Sequence, residues 1–198
     1  MGALNRVKLS SFAKRRARHP AWGFEHCKRV YRLSKQIAET EEMRVDDDVL
    51  FAAALLHDFG AYAAYRKPVA ADHSDRSTAA ARKILPKMGL PKEKTELACK
   101  AIETHMFYRK PSKENECRAF HDADCLDFLG ATGVARVFSI VGKDDWTPDM
   151  KSAVKLLTKF ARQIPKSLCT KTGKKMGEAR KNALKAFLKQ LNKESFFP

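Results

Sequence analysis

Apolar positions recur at helical spacing along most of the chain, and the sustained alternation of a half-buried strand is absent. From Trp22 to Glu41, the residues Phe24, Val30, Leu33 and Ile37 fall on one face with charges between them, which predicts a helix. A second helix is predicted to start near Asp46-Asp47-Asp48. Acidic side chains there supply an N-cap and suit the positive end of the helix dipole. It runs through Val49-Leu50-Phe51 and breaks at Gly60, and residues 61–69 follow as a loop or short helix. Asp72-His73-Ser74 opens a helix from Ser77 to Met88, stopped by Gly89-Leu90-Pro91, and a further helix spans Lys92 to His105. Residues 108–115 are polar, contain Pro111 and predict a loop. Helical spacing resumes over 120–130 and continues past Arg136 toward Val141, before a polar loop from Lys143 to Pro148. The last third predicts a basic helix from Met150 to Ile164, a linker over 165–177 and a helix from Glu178 to Asn192. Residues 1–19 are expected to form a basic arm or short helix, and residues 20–198 one domain. The fold class is all-α, a single helical bundle.

Against this pattern, one junction carries chemistry. The apolar run Ala52-Ala53-Ala54-Leu55-Leu56 ends in His57-Asp58. A buried charge is costly unless it is paired or ligates a metal. An imidazole beside a carboxylate therefore suggests a mixed nitrogen and oxygen metal site, although a capped core helix with a hydrogen-bonded histidine has the same pattern. Two ligands are too few for such a site. His26 lies four residues before Val30 and can point inward with it. Three acids, Asp122, Asp124 and Asp127, are interleaved with Ala, Leu and Phe, which is unusual for a surface. One of them can face a metal while another orients a ligand.

Charge and cysteines narrow the setting. The net charge is +16 over 198 residues, distributed as +8 on residues 1–32, −3 on 33–150 and +11 on 151–198. Basic ends around a near-neutral middle attract phosphates of any kind. Arg66 and Lys67 lie close to the His-Asp pair, where they could meet a phosphate or form an exposed turn. The five cysteines are scattered and include no Cys-x-x-Cys pair, which fits reduced thiols in the cytoplasm. Cys27 and Cys125 neighbour candidate ligands, but a reactive role is the less favoured reading. No apolar stretch is long enough to span a membrane, and no signal-peptide pattern is seen.

The ordered set His26 … His57-Asp58 … Asp124 resembles the HD-domain metal-dependent phosphohydrolases, and in particular the small bacterial single-domain members. Gly23-Phe24-Glu25-His26-Cys27-Lys28-Arg29-Val30-Tyr31 resembles the family's first-histidine helix, and Ala53-Ala54-Leu55-Leu56-His57-Asp58 its signature. Ile102-Glu103-Thr104-His105 and the segment from Asp122 to Arg136 resemble its later blocks, so the likeness spans about residues 20–192. The resemblance implies an HD-type bundle with a metal site between helices and His26, His57, Asp58 and Asp124 as ligands. Asp124 is preferred over Asp122 and Asp127 because its Ala-Asp-x-Leu context resembles the last ligand. His73 and His105 match positions that hold a second metal or the substrate phosphate in some members, with Asp58 then bridging. Asp122 and Asp127 are expected to support the ligands from behind, and Arg29, Arg66, Lys67 and Arg136 to clamp phosphate.

Such a donor set suits one or two ions of Mn²⁺, Fe²⁺, Co²⁺ or Mg²⁺, with Zn²⁺ less favoured. The expected activity is metal-dependent hydrolysis of a phosphate ester or anhydride in a nucleotide or similar small substrate, by a cytoplasmic monomer or homodimer. One departure stands out: where some nucleotidases of the superfamily carry an acid one turn after the signature, this chain has Ala61. The alternative function is a non-catalytic basic helical module that binds nucleotides or nucleic acid. The basic termini motivate it, but no recognition motif supports it.

Overall fold

The structure is a computed structural model that describes residues 3–62 and 71–195. Its regular elements are all helical among the described residues: α1 (Arg6–Arg16), α2 (Phe24–Thr40), α3 (Asp47–Leu56), α4 (His73–Ile84), α5 (Lys92–Glu103), α6 (Asn115–Asp127), α7 (Gly130–Phe138), α8 (Met150–Ser167) and α9 (Lys171–Ser195). Short 3₁₀ turns follow α3 at Phe59–Ala61 and α4 at Pro86–Met88. No described helix is long and apolar enough to cross a membrane.

α2, α3 and α6 pack against one another and form the centre of the bundle. α4 and α5 pair on one side, and α7, α8 and α9 close the other. Phe59, Phe120, Leu50, Leu56, Ile102 and Leu126 are fully buried in the shared core. α3 starts as its acidic run predicts. The Asp46 carboxylate accepts from the backbone N–H of Asp48 at 3.0 Å and of Val49 at 3.1 Å. The basic N-terminal segment is helical and docked. Leu9 and Ala13 of α1 are buried, and Arg6 donates to Asp47 and Asp48 at the start of α3.

Gly60 fixes how α4 meets the end of α3. A Cβ on Gly60 would collide with the His73 carbonyl, and its N–H donates to Ser77 Oγ at 2.8 Å. That close approach brings the first residue of α4, His73, beside His57-Asp58. Asp72 caps α4 by accepting from Ser74 N at 2.8 Å, so the helix begins at His73 rather than Ser77.

The expected linker over 165–177 is mostly helix. Pro165 sits in the last turn of α8, where it forfeits only one backbone bond near the helix end. Thr170 then caps α9, its Oγ1 accepting from Gly173 N at 2.8 Å. Gly173, a linker signal in the sequence, is a packing glycine: a Cβ there would collide with Asp122 Oδ2 on α6.

Candidate metal centre

Three packed helices deliver four side chains to one buried point. His26 lies in the first turn of α2, His57 caps the C-terminus of α3, Asp58 follows it, and Asp124 lies in the last turn of α6. His26, His57 and Asp124 are at most 2% exposed, and Asp58 is 8% exposed. His26 Nε2 lies 3.0 Å from His57 Nε2, 3.4 Å from Asp58 Oδ2 and 3.2 Å from Asp124 Oδ1. His57 Nε2 lies 3.2 Å from Asp58 Oδ2 and 3.6 Å from Asp124 Oδ1.

Hydrogen bonding on the far side of each ring fixes what faces that point. His57 Nδ1 lies 2.9 Å from the Ala54 carbonyl, which can only accept. His26 Nδ1 lies 2.7 Å from Asp127 Oδ2, whose carboxyl is held well below the usual range. Both Nδ1 atoms therefore carry hydrogen, and in the neutral rings both Nε2 atoms present lone pairs to each other. Two lone pairs and two carboxylates converging in a buried site repel unless a cation lies among them. Asp124 Oδ1 is buried without a hydrogen-bond donor, which is the orphan acceptor such a cation would satisfy. Donors about 2.1 Å from one ion are about 3 Å apart at right angles, close to the spacing seen. The donor set thus fits a six-coordinate divalent ion.

The same carboxylates also favour protons on the two rings. Burial alone would lower the His57 pKa, but Asp58 and Asp124 outweigh it and push it up to about 10. His26 moves upward against burial and Arg136, through Asp124, Asp127 and Asp58. Despite its burial, Asp58 is held well below the usual carboxylate range by His57 and His26.

Behind His26 stands a charged bracket. Asp127 accepts from Arg29 Nε at 2.9 Å and Arg29 Nη2 at 3.0 Å, as well as from His26. Arg136 is 4% exposed, lies over the Phe128 ring at 4.1 Å and donates from Nε to the Ala21 carbonyl at 2.6 Å. Its Nη1 is 3.0 Å from Asp127 Oδ2 but off the hydrogen-bond direction, so neither Nη finds an acceptor among the described residues. Asp127 therefore lies directly behind the His26 ring. Arg29 is held on Asp127 and Arg136 on the Ala21 carbonyl beside it, and neither is among the residues lining the cavity.

Asp58 also faces a second histidine pair. Its Oδ1 is 3.7 Å from His73 Nε2 and 3.9 Å from His105 Nε2, and those two nitrogens are 3.3 Å apart. His105 Nδ1 donates to the Ile102 carbonyl at 2.6 Å, again turning Nε2 toward the carboxylate. Burial pushes the His105 pKa down to about 4. Asp58 thus gives one oxygen to each pair.

Asp122 departs from its expected place behind the ligands. It accepts from Cys169 N at 3.0 Å, Thr170 N at 2.8 Å and Thr170 Oγ1 at 2.7 Å, fastening α6 to the α8–α9 junction. These bonds commit the Asp122 carboxylate to that junction, away from the centre at His26 and His57. Arg66 and Lys67 lie outside the described residues. Burial pushes the thiols of Cys27 and Cys125 upward, which removes nucleophilic character at neutral pH.

A half-open cavity of about 200 Å³ borders this centre through Asp58 and His73. Its other walls include Trp22, Arg76, Met106, Phe128 and the loop residues Asp144, Asp145 and Trp146. In the sequence, residues 143–148 read only as a polar loop. An exposed tryptophan beside two acids was the one available sign that the loop borders a cavity.

Comparison with known proteins bears on this centre. A family model described as HD domain matches residues 23–129, more than half of the chain. No curated protein matches. Among solved structures, YpgQ of Bacillus subtilis in complex with ADP is 24% identical, with a TM-score of 0.70 over 96% of this chain and 97% of that one. An HD-superfamily hydrolase from an uncultured Thermotogales bacterium is 25% identical, with a TM-score of 0.64 over 96% of this chain and 90% of that one. An HD-superfamily hydrolase from Bacillus thuringiensis is 21% identical, with a TM-score of 0.66 over 96% and 95%.

Proposed function

The chain belongs to the HD-domain family, and from that premise we propose that it is a metal-dependent phosphohydrolase acting on a nucleotide in the cytoplasm. One observation carries the proposal: the bare Nε2 atoms of His26 and His57, 3.0 Å apart, meet two carboxylates in a buried site. His26, His57, Asp58 and Asp124 would hold a divalent ion, and His73 and His105 would take a second ion or the substrate phosphate. When bound, the ion makes water a stronger acid and draws charge from the phosphoryl oxygens. Asp127 keeps His26 in the tautomer whose Nε2 is free, and Arg29 and Arg136 keep Asp127 ionised and aimed. Asp58 positions the two histidine pairs relative to one another, so that a phosphoryl group entering through the cavity meets both. Met106 and Phe128 line that cavity with apolar surface and limit the water around it. The ADP bound to YpgQ, which shares this fold, supports a nucleotide as the substrate.

Metal analysis of the purified protein, followed by phosphate and pyrophosphate release from a nucleotide panel with Mn²⁺, Fe²⁺, Co²⁺ and Mg²⁺, tests the proposal. Turnover by wild type that His57→Ala abolishes is the expected result. An inert wild type with every ion overturns it and leaves the binding-module alternative.

A further inference from the structure

The cavity that borders the metal centre through Asp58 and His73 also has an aromatic and acidic lining. Its walls include Trp22 and Trp146, and its rim carries Asp144 and Asp145. We propose that this lining is a base-recognition subsite selective for a nucleobase with two adjacent N–H donors on one edge, as in guanine; the assignment rests on the nucleotide-hydrolase reading for its substrate class and on geometry for its selectivity.

The aromatic part is held in place. Trp22 stacks on His19, with ring centroids 3.6 Å apart and planes within 12°. The Trp22 carbonyl accepts from Tyr62 Oη at 2.7 Å, which ties this wall to the turn after Asp58. Trp146 meets Trp22 at 5.6 Å and 50°, so the two indoles form an angled corner. A ring sandwiched between them would need a separation of about 7 Å. A base therefore lies against the corner, on the face of Trp146, which is 48% exposed. Such stacking binds any base and gives no selectivity by itself.

Selectivity comes from the acids. Asp144 is already engaged: its Oδ1 accepts from Trp146 N at 3.0 Å, and its Oδ2 lies 3.8 Å from His19 Nε2. It shapes the loop. The Asp145 carboxylate, next to Trp146 on the cavity rim, has no partner among the described residues. An ionised carboxylate only accepts hydrogen bonds. Two adjacent donors satisfy both oxygens side by side, as a guanidinium fork does. Guanine offers N1–H and the 2-amino group in that arrangement. Adenine and cytosine place a ring acceptor beside their amine, and uracil and xanthine place a carbonyl there, so each leaves one oxygen facing a lone pair. The same negative rim repels phosphates and directs them toward Asp58 and His73, where the ions bind.

The chain has two tryptophans, and both line this cavity. Intrinsic fluorescence therefore reports on the subsite without requiring turnover. Wild type and Asp145→Ala are titrated with GMP, IMP and XMP, and the same proteins are assayed with the matching triphosphates. These purines differ only at position 2. The expected result is quenching by GMP at concentrations on the order of tenfold below those for IMP, with XMP weakest. Asp145→Ala is expected to bring GMP affinity down to that of IMP. Equal affinities for GMP and IMP, an unchanged ratio in Asp145→Ala, or tighter binding of phosphocholine than of GMP would overturn the subsite. Base-selective binding without hydrolysis keeps the subsite and removes the hydrolase reading. Hydrolysis with no preference at position 2 does the reverse.

Discussion

The two histidine pairs on either side of Asp58 share a plan and differ in their surroundings. In each, a backbone carbonyl holds one Nδ1 and the Nε2 atoms face each other, at 3.0 Å for His26 and His57 and 3.3 Å for His73 and His105. The first pair is buried, has Asp124 as a second carboxylate and is braced by Asp127 through His26. The second pair meets Asp58 at 3.7 and 3.9 Å, has Asp72 3.5 Å from His73 Nδ1, and is more open, the His73 side chain being 15% exposed at the cavity. Burial and the close second carboxylate, rather than the histidines themselves, distinguish the first pair from the second. The first pair should retain an ion tightly, and the second should exchange its ion or give way to substrate.

Removing what the pairs share has the largest effect. Asp58→Ala leaves both pairs without their common carboxylate and should reduce phosphate release to background and lower bound metal to less than one ion per chain, measured by elemental analysis. Asp127→Asn acts on the first pair alone. It keeps the shape of the bracket but removes the charge behind His26, and the amide can turn an N–H toward it and select the wrong tautomer. Metal affinity and activity should fall by about 10- to 100-fold, read by competitive titration against a chelating dye. A change below twofold would mean that the bracket is not supporting a ligand. His73→Ala acts on the second pair alone and should be milder still for metal. Calorimetric titration should lose only the weaker of two binding phases, with the tight phase unchanged; loss of the tight phase would erase the distinction between the pairs.

How far the sequence disclosed this arrangement depends on the kind of signal each residue carries. His57-Asp58 stands at the end of an apolar run, so its burial and its chemistry were visible together. His26 and Asp124 became interpretable only alongside it, because a lone inward histidine or acid has many ordinary roles. The acids of α6 show the limit. Asp122, Asp124 and Asp127 all read as buried carboxylates near a ligand, yet Asp122 turns to the α8–α9 junction. Helical spacing gives a direction around an axis, and it does not say which neighbouring element waits there. Gly173 and Pro165 misled for a related reason: local propensity marked a linker, while a tight contact with Asp122 and a helix-end position accommodated both residues within helices. The loop at Asp144–Trp146 carried only a faint sign in the sequence, because its place beside Trp22 at the cavity is set by the fold.

The effect most specific to the comparison separates the pairs by pH in chelator-treated protein. His57 is pushed up to about 10 and His105 down to about 4, from an ordinary value of 6.5. Between about pH 4 and 6.5 the unfolded chain holds a proton at His105 that the folded protein lacks, so stability rises with pH across that window. Between about pH 6.5 and 10 the folded protein holds a proton at His57 that the unfolded chain lacks, so stability falls as pH rises. Each limb is limited to about 1.4 kcal/mol per pH unit, and each kcal/mol to about 2–4 °C in Tm for a chain of this size. Chelator-treated protein should therefore show a maximum in Tm near pH 6.5. With a divalent ion bound, the ion replaces the His57 proton, so the alkaline limb should flatten while the acidic one steepens through proton competition at the ligands. A metal-free Tm that climbs steadily from pH 6.5 to 9 would mean that Asp58 and Asp124 do not hold a cation's worth of charge against the first pair.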